Sequence, residues 1–178
     1  MPKALSIGGY LAATVLIVLG IAVIVVGFVG RSYVQDQVGK EKIVGSDDMT
    51  PEGIQAGIQK AGLKDVSVPS CSVAGEEVDT GKEAKCFADY MRIHTLEATG
   101  GKTYAQMPQD SSERDIWVTE TALTTALYTS YFAESVALFA ILVGIVMLLV
   151  GIGFIVLTTV SRRRTVAGTP PPPSAAAT

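Results

Sequence analysis

The stretch that decides the fold is SVALFAILVGIVMLLVGIGFIVLTTVS, residues 135–161, which contains no Asp, Glu, Lys or Arg. A second uncharged apolar stretch, ALSIGGYLAATVLIVLGIAVIVVGFVG, occupies residues 4–30 and also has 27 residues. A helix rising about 1.5 Å per residue needs only about 20 residues to cross a hydrocarbon core of about 30 Å. The sequence therefore predicts two membrane-spanning helices, at residues 10–30 and 135–160.

The composition of the whole chain agrees with this prediction. Its hydrophobic share is 48%, its charged share only 17%, and its mean hydropathy is +0.39. Such values exclude an ordinary soluble enzyme of the cytosol, and the lipid bilayer becomes the first expected partner. The only basic cluster is Arg162–Arg164. Without a basic stripe, the class of nucleic-acid-binding proteins is excluded as well.

The distribution of charge predicts the topology. Residues 31–134 contain all 17 acidic residues and ten of the 14 basic ones. Basic residues close to a span favour the cytoplasmic side, and Arg162–Arg164 directly follow the second apolar stretch. We therefore expect a cytoplasmic N-terminus at residues 1–9, an extracytoplasmic domain at 31–134 and a disordered, Pro/Ala-rich cytoplasmic tail at 161–178.

The first apolar stretch has an alternative interpretation as a cleaved signal peptide. Its apolar run covers residues 11–29, whereas the apolar region of a signal peptide usually has about 7–15 residues. No Ala-x-Ala-like cleavage site follows this run. These features favour a retained membrane anchor.

The central segment is predicted to depend on a disulfide. Ile, Leu, Val and Phe together make up 19 of its 104 residues, which is little for an apolar core. Both cysteines of the chain, Cys71 and Cys86, lie here, and an extracytoplasmic compartment is oxidising. A bridge closing such a loop stabilises by roughly 3 kcal/mol. Two free thiols or a bridge to a partner are the alternatives.

The predicted fold class is mainly α, with two transmembrane helices flanking a small α(+β) domain. Thr50 and Pro51 mark a helix start, and this helix is expected to end at Gly62. Its inward-facing residues would be Ile54 and Ile58.

A strand and a second helix are predicted next. Residues 66–68 alternate like a short strand, for which Val73 could supply the partner. Residues 83–98 have helical spacing and end before Gly100 and Gly101. One face of this helix would carry Phe87, Tyr90, Met91 and His94.

A single long helix is predicted for the last part of the chain. Asp110 and Glu113 have capping-box spacing, and neither Pro nor Gly follows before Gly144. One helix could therefore run from Glu113 through the second span to residue 160, with Glu134 facing water at its outer edge. Three residues of its outer half would face the core of the domain: Ile116, Leu123 and Leu127.

Small residues recur every seven positions in both apolar stretches, a period that keeps them on one face of a left-handed helix pair. In lipid, small residues allow two helix backbones to approach closely. The two stripes could pack against each other, or against another membrane protein or a second copy. The residues predicted to pack are Ala13, Gly20 and Gly27 in the first span and Ala137, Gly144 and Gly151 in the second.

No motif in the chain indicates a specific chemistry. The single histidine, His94, comes without a nucleophile elbow, and no phosphate-binding loop or dinucleotide fingerprint occurs. Two cysteines and one distant histidine do not complete a zinc site. No charged side chain lies inside either span, which argues against an autonomous channel or transporter. We predict no catalytic residue, no cofactor and no metal.

One block of sequence resembles a known family. FADY at 87–90, followed by His94 and by TLEATGGKTYA at 95–105, is similar to a block in a family of uncharacterised bacterial two-span membrane proteins. The resemblance covers roughly residues 5–160 and implies the same architecture. Members often carry the label aromatic ring-opening dioxygenase. Extradiol cleavage needs iron held by two histidines and a carboxylate, and a chain with one histidine cannot supply them.

These observations together predict a non-catalytic integral membrane protein of the bacterial cell envelope. It would act as a scaffold, an accessory subunit or an interaction module. The alternatives are a sensor whose external domain reports through the second helix, and a membrane enzyme. The sequence does not indicate a small-molecule ligand.

Overall fold

The computed structural model describes residues 3–167, so the predicted tail lies outside the described residues from position 168 onward. Four helices account for most of the described chain: α1 (Lys3–Lys40), α2 (Pro51–Lys60), α3 (Gly81–Ala98) and α4 (Glu113–Ala167). A short 3-10 turn occupies Tyr104–Gln106. Helix α4 continues seven residues into the segment predicted as a disordered tail, since the first helix breaker after Gly153 is Gly168.

The chain divides into two compact units. The first, called the helix pair below, comprises the described parts of Met1–Gly27 and Phe139–Thr178. The second, called the compact domain, is Phe28–Leu138. The mainly helical prediction is confirmed by these elements.

Helices α1 and α4 are both long and apolar enough to cross a membrane. Only 17% and 11% of the residues in their most apolar windows are buried. The core helix of a soluble protein would be mostly buried, whereas these helices expose large side chains such as Val26 and Leu149. The exposed apolar surface is the kind that a bilayer covers.

Helix α2 forms as its sequence predicts. The Thr50 Oγ1 atom accepts a hydrogen bond from the Gly53 N–H at 2.9 Å, and Pro51 occupies the first turn. Ile54 and Ile58 are buried in the core of the compact domain.

Helix α3 begins two residues earlier than predicted, because Thr80 and Glu83 form a reciprocal capping box. Its buried face carries Phe87 and Tyr90. The Tyr90 hydroxyl donates a hydrogen bond to the Cys71 carbonyl oxygen at 2.6 Å, which satisfies the one polar atom of this buried ring.

The strand predicted at residues 66–68 is wrong. The extended contacts in the described chain are two isolated bridges, Val44 with Glu77 and Gly45 with Ala74. The Val73 N–H donates instead to the Met49 carbonyl oxygen at 3.2 Å. Val66 and Val68 do pack against the core, so the alternation marked burial of their side chains rather than pairing of their backbone.

The start of helix α4 also differs in detail. The Glu113 N–H donates to the Ser111 Oγ atom at 3.3 Å, so the predicted capping role of Asp110 is wrong. Ile116 is 41% exposed, and the buried position in this turn belongs to Trp117, which the pattern analysis did not single out. The inward placement of Leu123 and Leu127 is confirmed.

Candidate functional site

A buried polar cluster joins three helices of the compact domain. The Glu134 Oε1 atom of α4 accepts hydrogen bonds from Arg31 Nε at 2.8 Å and from Gln35 Nε2 at 3.1 Å, both on α1. Its Oε2 atom accepts from the Gly81 N–H at 2.6 Å. These four residues, Arg31, Gln35, Gly81 and Glu134, are called the Glu134 cluster below. Both oxygen atoms of the Glu134 carboxylate therefore accept hydrogen bonds.

The N-terminal end of helix α3 explains why a carboxylate is stable beside Gly81. The first N–H groups of a helix have no partner within it, and the helix dipole favours a negative charge at this end. Gly81 is the first residue of α3. A Cβ atom at this position would lie 2.8 Å from both Glu134 Oε2 and the Tyr131 Cα atom. Only glycine therefore lets the start of α3 approach the α4 backbone so closely.

The structure corrects the prediction that Glu134 faces water, since only 6% of the residue is exposed. Arg31 is the first charged residue after the first apolar stretch, and Glu134 is the last before the second. In two antiparallel helices, the end of the first apolar stretch lies beside the start of the second, so these two oppositely charged residues can form an ion pair. The ion pair brings the ends of the two apolar stretches together, and Gly30 lies beside Ala137 in the same region.

The two cysteines lie where the sequence predicts a bridge. The sulfur atoms of Cys71 and Cys86 are at disulfide-bonding distance, 2.06 Å, which is compatible with the predicted bond. Cys86 is buried on α3, whereas Cys71 belongs to the irregular segment before it. The pair fastens this segment to the helical core.

The small residues of the two spans meet inside the helix pair. A Cβ atom on Gly20 would lie 2.9 Å from the Gly144 carbonyl oxygen, and one on Gly151 would lie 3.1 Å from that of Ala13. Of the two packing alternatives, the structure shows the intramolecular one for these four residues. The remaining two predicted residues, Gly27 and Ala137, are buried as well.

We expect Gly144→Leu to destabilise the helix pair by about 2 kcal/mol, because an overpacked contact costs typically 1–3 kcal/mol. A Cβ at Gly144 would lie 2.6 Å from Ile24 Cγ1 and 2.7 Å from the Gly20 carbonyl oxygen. Gly153→Leu is the matched control, because nothing lies within 4 Å of a Cβ there. The midpoint of unfolding by SDS in mixed micelles measures both variants, and equal midpoints would contradict the packing.

His94 lies between two carboxylates. Its Nδ1 atom is 3.1 Å from Glu97 Oε2, and its Nε2 atom is 3.6 Å from Asp48 Oδ2. The His94 Nε2 and Glu97 Oε1 atoms are buried without a hydrogen-bond partner. A hydrogen bond from the Ser46 hydroxyl lowers the pKa of Asp48, with a smaller contribution from His94. The neutral imidazole leaves one nitrogen lone pair facing a carboxylate, whereas the protonated ring presents an N–H to each.

Tyr128 of α4 is held against α3. Its hydroxyl donates to Asp89 Oδ1 at 2.6 Å, and Asp89 also pairs with Lys85. Burial, followed by the hydrogen bond to Asp89, raises the pKa of Tyr128 to about 12. The phenol is therefore a donor at any neutral pH and links the two helices.

We expect the contribution of Tyr128 to stability to disappear in alkali. Its pKa in the folded chain lies above the ordinary value of 10.0. The folded state therefore binds this proton more tightly, and the stabilisation is complete below pH 10.0 and lost as the pH rises towards about 12. Burial also raises the pKa of Tyr90. Alkaline titration of phenol absorbance should therefore show a late component in the folded protein that Tyr128→Phe reduces by one phenol. A late component of unchanged size in Tyr128→Phe would contradict this assignment.

Trp117 is a further structural residue that pattern analysis missed. It is 3% exposed, and its Nε1–H donates to the Lys102 carbonyl oxygen at 3.0 Å. The Arg92 guanidinium lies 5.3 Å from its ring centroid. The only sequence signal was that this is the one tryptophan of the chain, beside a predicted inward position.

Within residues 3–167, no group of three or more His, Cys, Asp and Glu side chains is placed to hold a metal ion. Comparison of the chain with protein-family models, with curated proteins and with solved structures finds no match. The family resemblance of residues 87–105 therefore stays a prediction.

Proposed function

We propose that this chain is a non-catalytic integral membrane protein of the bacterial cell envelope. Its two spans would hold the compact domain at the outer surface of the membrane, with both termini in the cytoplasm. There it would serve as a scaffold, accessory subunit or interaction module. The Glu134 cluster is the single observation that carries this proposal.

The position of the Glu134 cluster supports a membrane boundary at that level. Arg31 and Glu134 are charged and directly flank stretches of 27 uncharged residues. A charged pair is costly inside hydrocarbon but stable at the interface, where water and headgroups are near. The cluster also ties the first turn of α3 to α1 and α4. A domain tethered at both ends by membrane helices suits a scaffold or accessory subunit.

The buried polar groups of the compact domain support a structural role. Glu134 bonds the Gly81 N–H, and the Tyr90 hydroxyl bonds the Cys71 carbonyl oxygen. Trp117 shares the Lys102 carbonyl oxygen with the Thr99 hydroxyl. Satisfying buried backbone atoms contributes to stability and leaves these groups engaged within the fold. These three buried polar side chains therefore help to hold the fold together.

Labelling with membrane-impermeant reagents tests the topology. A tag inserted at Gly75 suits this purpose, because Gly75 has a φ of +69° and open space around its Cβ position. We expect a tag at Gly75 to be labelled in whole cells and a tag at Thr178 to be labelled only after permeabilisation. The opposite pattern would invert the proposed orientation.

Crosslinking in native membranes tests the role as scaffold or accessory subunit. We expect a defined crosslinked complex that Glu134→Ala weakens, because loss of the cluster loosens the domain. Asp36→Asn is the matched control, since it breaks an ion pair with Lys40 in which both side chains are 60% exposed. A chain that gives no crosslinked product in native membranes would argue against this role.

A sensor is the second candidate, and the position of His94 favours it. Asp48 faces the imidazole from the loop before α2, and Glu97 faces it from α3 itself. Helix α2 presents the uncharged Gly57 towards Glu97. The imidazole therefore joins the loop before α2 to α3 through two facing carboxylates. A change in the external solution that altered these contacts would change how this loop packs on α3.

The test compares melting temperatures between about pH 7.5 and about pH 5.5, where imidazole groups generally change charge. A sensor predicts that the melting temperature of the wild type changes with pH and that His94→Gln reduces this change. Asp48→Asn should also reduce it, because it removes one facing carboxylate. Parallel pH profiles for the wild type and His94→Gln would eliminate this candidate.

A further inference from the structure

The helix pair contains an open groove of about 540 Å³ between α1 and α4. Gly8 and Ala12 line it on the α1 side, and Phe154 and Leu157 line it on the α4 side. Gly8 is exposed and nothing lies within 4 Å of a Cβ placed on it, so this side of the groove has room for a larger side chain. Its volume lies within the range of about 300–1,000 Å³ found for small-molecule sites.

Thr158 supplies a hydroxyl to this apolar groove. It lines the groove and is only 7% exposed. Its Oγ1 atom lies against Gly9, which also lines the groove, because a Cβ atom on Gly9 would clash with it. Ser161 supplies a second hydroxyl at the same end of the groove. The groove therefore suits an occupant that is mostly hydrocarbon and carries polar groups at this height.

Positive charge follows directly beyond the polar end of the groove. Arg162 is four residues after Thr158 and so lies on the same face of α4, about 5.4 Å further along the axis. Arg163 is exposed beside it. Basic residues at the cytoplasmic end of paired membrane helices commonly bind anionic lipid headgroups. The groove therefore presents an apolar surface, then a hydroxyl, then positive charge. A phospholipid carries the matching groups in the same order: an acyl chain, an ester and a phosphate.

We propose that this groove binds one anionic phospholipid. An acyl chain would fill the gap over Gly8 and Ala12, Thr158 would donate to an ester oxygen, and Arg162 and Arg163 would pair with the phosphate. The inference rests on the proposed membrane placement. It is independent of the role of the compact domain.

Native mass spectrometry in detergent tests this site with an equimolar mixture of palmitoyl-oleoyl phosphatidylglycerol and the matching phosphatidylcholine. We expect one retained lipid, with phosphatidylglycerol favoured by about fivefold for each arginine. Gly8→Leu should remove the retained lipid by filling the groove. Gly153→Leu should keep it, because Gly153 is equally open but does not line the groove.

A second variant tests the headgroup contact separately. Arg162→Gln with Arg163→Gln should keep one bound lipid but lose the preference for phosphatidylglycerol. Equal retention in Gly8→Leu and the wild type would overturn the proposal. So would a wild-type dimer that Gly8→Leu dissociates, since the occupant would then be a second copy.

Extraction of membranes with alkaline carbonate separates this inference from the proposed function. Release of the chain by carbonate would refute the membrane placement itself. A chain that stays in the membrane but retains both lipids equally would refute only the lipid site.

Discussion

Glu134→Ala is expected to lower the free energy of unfolding of the compact domain by about 3 kcal/mol, at the lower end of the range for breaking a buried ion pair. The lower end applies because the Arg31 side chain is 40% exposed and can regain water. The Gly81 N–H, by contrast, is buried with its acceptor and would lose its only partner in the Glu134 cluster. Most of the loss should therefore arise at the start of α3.

Fluorescence of Trp117 in detergent measures this change, since Trp117 is the only tryptophan and is 3% exposed. Asp36→Asn should cost less than about 0.5 kcal/mol, because exposed ion pairs contribute little. Glu134→Gln should fall between the two, because the amide keeps one acceptor oxygen but has no charge. Equal losses for Glu134→Ala and Asp36→Asn would show that burial of the cluster is unimportant.

Removal of the disulfide is expected to have an effect of similar size. Cys71 and Cys86 close a loop with a sequence separation of 15, and a loop of about 15 residues corresponds to about 3 kcal/mol in the chain-entropy model. The double variant Cys71→Ala with Cys86→Ala tests this, because alanine at the buried Cys86 position introduces no new polar group. The fall in stability should appear as a lower midpoint of Trp117 fluorescence.

Reduction of the wild type provides the control for this prediction. Treatment with a reductant should lower the midpoint of the wild type to about that of the double variant and leave the double variant unchanged. Alkylation followed by intact mass measurement should show two added groups only after reduction. Modification of both cysteines without reductant would contradict the bond.

Local sequence determined most of the helical elements. Two uncharged stretches of 27 residues, the Thr50–Pro51 start of α2 and the glycines after α3 each act within a few neighbouring residues. The seven-residue spacing of small residues also predicted the contact between Gly20 and Gly144. Such features are visible in sequence because helix periodicity, capping and chain length depend on near neighbours.

The tertiary structure alone decided where the polar side chains go. Glu134 was predicted to face water, yet it is buried because Arg31 and Gly81, 103 and 53 residues away along the chain, supply its donors. The pattern of residues 66–68 predicted a strand, but the bridges in the described chain join Val44 to Glu77 and Gly45 to Ala74 instead. Burial of a charge or pairing of a strand depends on partners distant in sequence, and those partners are known only once the chain has folded.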